Sequence, residues 1–93
     1  MPIFSGNTST NAASTAYDIP YKIKYFSVVN KSGVGITVNV GVLYGSTLYY
    51  ITPYNMTLGA GETLYASEDI LVLAGRQIYL SVTDSVDYYF DLE

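Results

Sequence analysis

The chain has no cysteine, no histidine and no tryptophan among its 93 residues. Without a thiolate or an imidazole it has no disulfide framework, no zinc site of the Cys/His kind and no c-type haem attachment. Nor can it build a catalytic dyad on either group. Charged residues are scarce as well, at 13%, about half the usual quarter, which excludes a coiled coil or a charged disordered chain. Four Lys+Arg stand against eight Asp+Glu, a net charge of −4, so the basic footprint of a nucleic-acid binder is missing. No apolar run reaches the roughly 18 residues of a membrane-spanning helix. Residues 1–16 lack the basic and apolar regions of a secretory signal.

What the chain does have is tyrosine, eleven of them, with three phenylalanines. Valine, isoleucine and threonine are also abundant, and all of these suit a pleated, half-buried surface. No long window shows the i, i+3, i+4, i+7 stripe of an amphipathic helix. Period-two alternation is clear instead. Ile36, Val38, Val40 and Val42 alternate with Thr37, Asn39 and Gly41. Ile78, Leu80 and Val82 form a second such face, and Val86, Tyr88, Phe90 and Leu92 a third. Tyr21 to Asn30 reads as one long strand, paired as a hairpin with 35–44 across the turn at 31–34. Leu48 to Thr52 is a short strand stopped by Pro53, and Asn55 to Leu58, Thr63 to Ala66 and the apolar run Ile70 to Leu73 follow it. The pattern predicts an all-β fold, a single antiparallel β-sandwich or jelly-roll-like barrel of roughly seven or eight short strands. One small core is what a chain of this length can build.

Residues 1–18 differ from the rest. Ser5 to Thr15 is small, polar and uncharged, and such a stretch has little apolar surface to offset its ordering entropy. Pro2, Ile3 and Phe4 are its apolar tip. The segment reads as an extended N-terminal arm, dispensable for folding, that docks on a neighbouring subunit, with the sandwich domain at 19–93. The tyrosine pairs Tyr49/Tyr50 and Tyr88/Tyr89 must point to opposite faces of a strand. Some rings therefore lie outside, where tyrosine serves protein contacts well. These four, with Pro2, Ile3 and Phe4, are the candidate partner-binding residues, and a homo-oligomer, with a trimer favoured, is the expected state.

Candidates for chemistry are few. Asp87, Asp91 and Glu93 share one strand face near Asp84, with Glu68 and Asp69 elsewhere. Carboxylates strung along a strand do not converge as a calcium site requires. There is no nucleophile elbow and no phosphate loop; Gly59-Ala60-Gly61 is a turn with no helix after it. No enzyme activity, metal or cofactor is expected.

The segment from Tyr25 to Glu93 resembles small virion proteins of bacteriophages. The resemblance rests on a strand ending at Val28-Val29-Asn30 and on the β-branched strand Ile36 to Val40. It continues through the turn Leu58-Gly59-Ala60-Gly61-Glu62, the run Ile70 to Leu73, Gly75-Arg76-Gln77-Ile78, and an aromatic closing strand. Gly75-Arg76 departs from the Gly-Asp of many such sequences. The resemblance implies a non-catalytic structural protein of the virion, a head decoration or cement protein bound to the capsid lattice and made in the bacterial cytoplasm. A neck, tail or fibre-tip component, binding a receptor or carbohydrate, is the alternative it leaves open. Neither implies a nucleic-acid or membrane partner.

Overall fold

A computed structural model describes residues 3–93. Ten strands form among them: β1 (Phe4–Thr8), β2 (Asn11–Ala13), β3 (Tyr21–Asn30), β4 (Ile36–Tyr44), β5 (Thr47–Tyr50), β6 (Met56–Leu58), β7 (Thr63–Ala66), β8 (Ile70–Val72), β9 (Gln77–Val82) and β10 (Val86–Leu92). They build two antiparallel sheets whose apolar faces share one core, as in a β-sandwich. The first sheet runs β1-β10-β3-β7, with β8 also on β3. The second runs β2-β9-β4-β5, with β6 also on β4.

The alternating faces read from sequence are the faces that are buried. Ile36, Val38, Val40, Ile78, Leu80, Val82, Val86, Phe90 and Leu92 all lie in the core, and Phe26 stacks on Phe90 with ring centroids 5.2 Å apart. Strand β4 carries Gly41 at a close approach. A Cβ there would sit 2.6 Å from the Tyr49 carbonyl oxygen, because the chain folds tightly back along β4 after the two-residue turn at Gly45-Ser46. Gly45, at φ 62°, supplies the positive φ such hairpins need.

Three expectations are corrected. Strands β3 and β4 are not a hairpin: they lie in opposite sheets. Each has an inward apolar face, and placing them across the core lets both faces bury against one another. Nor does the one long strand β3 alternate evenly along its length. Asp91 pairs with Tyr25 but Leu92 with Ile23, so β3 carries an extra residue at Lys24. This bulge switches the inward parity from Tyr21 and Ile23 to Phe26, Val28 and Asn30. Finally, the apolar run Ile70 to Leu73, expected from its composition to be buried, is mostly open. Only Val72 is buried, while Leu71 and Leu73 are exposed, since β8 lies on one flank of its sheet and has a single core-facing side.

The largest difference is at the N-terminus. Residues 4–8 pair along their full length with β10, and 11–13 pair with β9. They are edge strands of this chain's own sheets, not a tether reaching away from a domain that begins at residue 19. Backbone hydrogen bonding makes this possible for a polar segment, because the ladder asks little of the side chains. Ser14 then anchors the chain at both ends of its residue: its amide donates to the Ile78 carbonyl at 2.9 Å, and its hydroxyl accepts from the Ile78 amide at 2.8 Å.

Among the described residues, Asn30 is the one wholly buried side-chain amide. Its Nδ2 faces the carbonyls of Val34 (2.8 Å), Leu58 (3.1 Å) and Gly59 (2.9 Å), while Oδ1 accepts from the amide and hydroxyl of Ser32. One side chain thus ties the 31–34 crossover to the turn at 58–62. In Asn30→Asp a carboxylate would face three carbonyls. We expect a loss of about 2–4 kcal/mol, since buried polar groups left unsatisfied cost about 1–3 kcal/mol and charged ones more. Chemical denaturation of the variant measures it.

Tyr21 presents the opposite case. Its ring is buried and its hydroxyl has no hydrogen-bond partner; the neighbouring Ser14 hydroxyl is turned to the Thr15 carbonyl. Burial pushes the Tyr21 hydroxyl up from its usual value, with Ser14 opposing. Above the ordinary tyrosine range the unfolded chain therefore ionises first, and stability falls as pH rises. Tyr21→Phe is expected to keep or raise stability by up to about 1 kcal/mol and to lessen the alkaline loss. Melting temperatures from pH 7 to 11 test both.

Candidate functional site

The surface chemistry begins with the charges, because so few exist. Lys24 lies 3.1 Å from Asp69 and 3.7 Å from Glu93, and Lys22 lies 3.9 Å from Asp69. The Asp69 carboxylate, then Glu93, holds the Lys24 ammonium above its usual range. Lys31 pairs with Asp87 at 2.9 Å. Arg76, the remaining cation, lies over the Tyr44 ring, 4.3 Å from its centroid. Every lysine is thus matched by an acid, and all three acids they use lie on or beside the β1-β10-β3-β7 sheet. Of the acids considered for a metal, Asp69, Asp87 and Glu93 are taken up in these pairs. Among the described residues no group of three or more potential ligands converges.

Between the charge pairs on the outer face of that sheet stand tyrosines. Tyr89 on β10 is in register with Ser27 on β3, and Ser27 with Tyr65 on β7. Two rings therefore flank a serine at two strand spacings, about 9–10 Å between backbones. Tyr25 stands beside Tyr89, with ring centroids 6.4 Å apart. Tyr65 is the most open, 68% exposed; Tyr25 and Tyr89 are more than a third exposed. A second aromatic group lies on the flank of the other sheet, where Tyr49, Tyr50 and Tyr54 are all exposed and Tyr50 meets Tyr54 edge-on at 5.0 Å.

The candidate residues thus fall into separate places. At Tyr88/Tyr89 the pair splits as strand geometry requires. Tyr89 faces out, whereas Tyr88 packs on the core and contacts Phe4 at 4.9 Å. Tyr88 is therefore not an open partner surface. At Tyr49/Tyr50 both rings are exposed. Tyr49 shares a face with buried Val42, but β5 is an edge strand and leaves its ring open. The apolar tip divides too. Ile3 is exposed, while Phe4 packs on Tyr88 and Phe90 of its own chain, with centroids 4.9 and 5.4 Å away. Phe4 is used within the fold, and Pro2 lies outside the described residues.

Four exposed rings escape the sequence reading: Tyr25, Tyr44, Tyr54 and Tyr65. Tyr65 alternates with half-buried Leu64 and Ala66, a signal the sequence carries. Tyr25 points out only because of the bulge at Lys24. Tyr54 stands on the loop between Pro53 and Asn55, which has φ 54°.

A polar recess of about 290 Å³ is lined by Asn7, Thr8, Ser9, Lys31 and Ser85. Its lysine is already paired with Asp87. Its hydroxyls and amide can hydrogen-bond. No family model matches the chain, and no curated protein matches it.

Proposed function

We propose that this chain is a non-catalytic structural protein of a bacteriophage virion, a decoration or cement protein that binds a repeating capsid lattice as a homo-oligomer. We further propose that its sandwich is a jelly roll. With β5/β6 and β7/β8 each taken as one interrupted strand, the two sheets interleave so that successive strands cross repeatedly between them. That order suits the double Greek key found in capsid and lectin domains. The observation that carries the functional reading is the outer face of the β1-β10-β3-β7 sheet: Tyr25, Tyr65 and Tyr89 exposed between charges already paired within the chain. Tyrosine adds contact area with little entropy to lose, and matched ion pairs reduce the cost of covering such a face.

The test is co-sedimentation with purified phage shells. The wild-type chain is expected to saturate a fixed number of sites, and the Tyr25→Ala/Tyr65→Ala/Tyr89→Ala variant to bind at least tenfold more weakly with its fold intact. Equal binding by the two chains, or none by the wild type, overturns the reading. A second reading, a glycan- or receptor-binding neck, tail or fibre-tip component, draws on the serine flanked by Tyr89 and Tyr65, a gap that a sugar ring could enter. Loss of glycan-array signal in the same variant would favour it.

A further inference from the structure

The four sheet flanks are not equally protected. On the β7/β8 flank the strand is broken by Ser67-Glu68-Asp69, which carries two acids. On the β5/β6 flank it is broken by Pro53 and by Asn55 in a left-handed conformation. Strand β2 is only three residues long. Short strands, charges, proline and kinks are the means by which proteins keep sheet edges from pairing with other chains. Strand β1 has none of them. Its five residues, Phe4–Thr8, carry no charge and no proline, and all five hold an unbroken register with β10. Ser5, Gly6 and Asn7 at its centre are exposed. Among the described residues, no backbone hydrogen bond outside the β10 ladder involves β1.

We infer that the open edge of β1 is a pairing surface for β1 of a second copy of this chain. An antiparallel strand edge is self-complementary, so a two-fold axis at Gly6 matches every residue: Gly6 with Gly6, Ser5 with Asn7, Phe4 with Thr8. The junction joins two five-stranded sheets into one continuous ten-stranded sheet. Glycine at the axis adds no side chain at the centre of the junction, and the strand brings no charge of its own to it. Five residue pairs give a weak contact in solution, strengthened wherever a lattice holds copies side by side. The contact is two-fold, so it links pairs and does not close a trimer. It rests on strand geometry alone and stands or falls apart from the virion reading.

The chain has no native cysteine, which makes cross-linking clean. Ser5→Cys and Asn7→Cys chains, mixed and oxidised, are expected to give a covalent heterodimer several-fold above either variant alone and above Thr63→Cys on the opposite flank. The Ser5→Lys/Asn7→Lys variant sets four lysines across the junction. It is expected to weaken dimerisation at least tenfold in sedimentation equilibrium while its melting temperature stays near that of the wild type. Wild-type chain that stays monomeric to its solubility limit, a trimer, or equal cross-linking at Thr63 overturns the inference.

Discussion

Val38→Asp is expected to abolish folding. Val38 is fully buried on β4, between Met56 of β6 and Val82 of β9. Its side chain points to the core, where the side chains of its cross-strand neighbours Val82 and Met56 offer no hydrogen-bond donor. An unpaired carboxylate placed there costs several kcal/mol even after it takes up a proton. A domain of this size holds only about 5–14 kcal/mol in total. The variant should be insoluble or lack a cooperative melting transition. Val38→Ala, which removes apolar contact without burying charge, should still fold and melt lower. A soluble Val38→Asp chain with a sharp melting transition would falsify the assignment of faces.

Removal of residues 2–16 is the second large effect. Strands β1 and β2 cap both sheets on one flank, so their loss bares the backbone edges of β10 and β9 together. It also removes Phe4 from Tyr88 and Phe90 and the Ser14 pair of hydrogen bonds to Ile78. Burial of a ring such as Phe4 is worth about 1.5–3 kcal/mol when complete. A loss of about 3 kcal/mol lowers the melting temperature of a domain this size by roughly 12–24 °C. We expect a fall of at least ten degrees or aggregation through the newly opened edges. Phe4→Ala alone should reproduce part of the fall. An unchanged transition after the deletion would return the segment to a tether that the domain does not need.

The resemblance drawn from sequence rests on turn and strand chemistry, and two of its motifs meet in space. Asn30, at the end of the Val28-Val29-Asn30 strand, binds the carbonyls of Leu58 and Gly59. In the same turn the Glu62 carboxylate accepts from the Gly59 amide. Their separation in the chain is 28 residues for Leu58, so no local pattern discloses the contact. The motifs explain how two loops hold together; they carry no chemistry of a reaction.

Strand existence and the inward faces of β4, β9 and β10 were legible in the residues, because a period of two is a local property that a half-buried strand imposes wherever it lies. The absence of catalytic cysteine or histidine was legible from composition alone. Partnership was not. Whether β3 pairs with β4 or lies across the core from it, and whether a polar N-terminal segment joins the sheets, depend on backbone hydrogen bonds, which every residue can accept and every residue except proline can donate. The bulge at Lys24 was hidden for the same reason: it is defined by the register against β10, and it alone turns Tyr25 outward beside Tyr89. Side-chain alternation is written one residue at a time, whereas strand order, edges and the tyrosine surface arise only when distant segments compete for the same ladder and the same core.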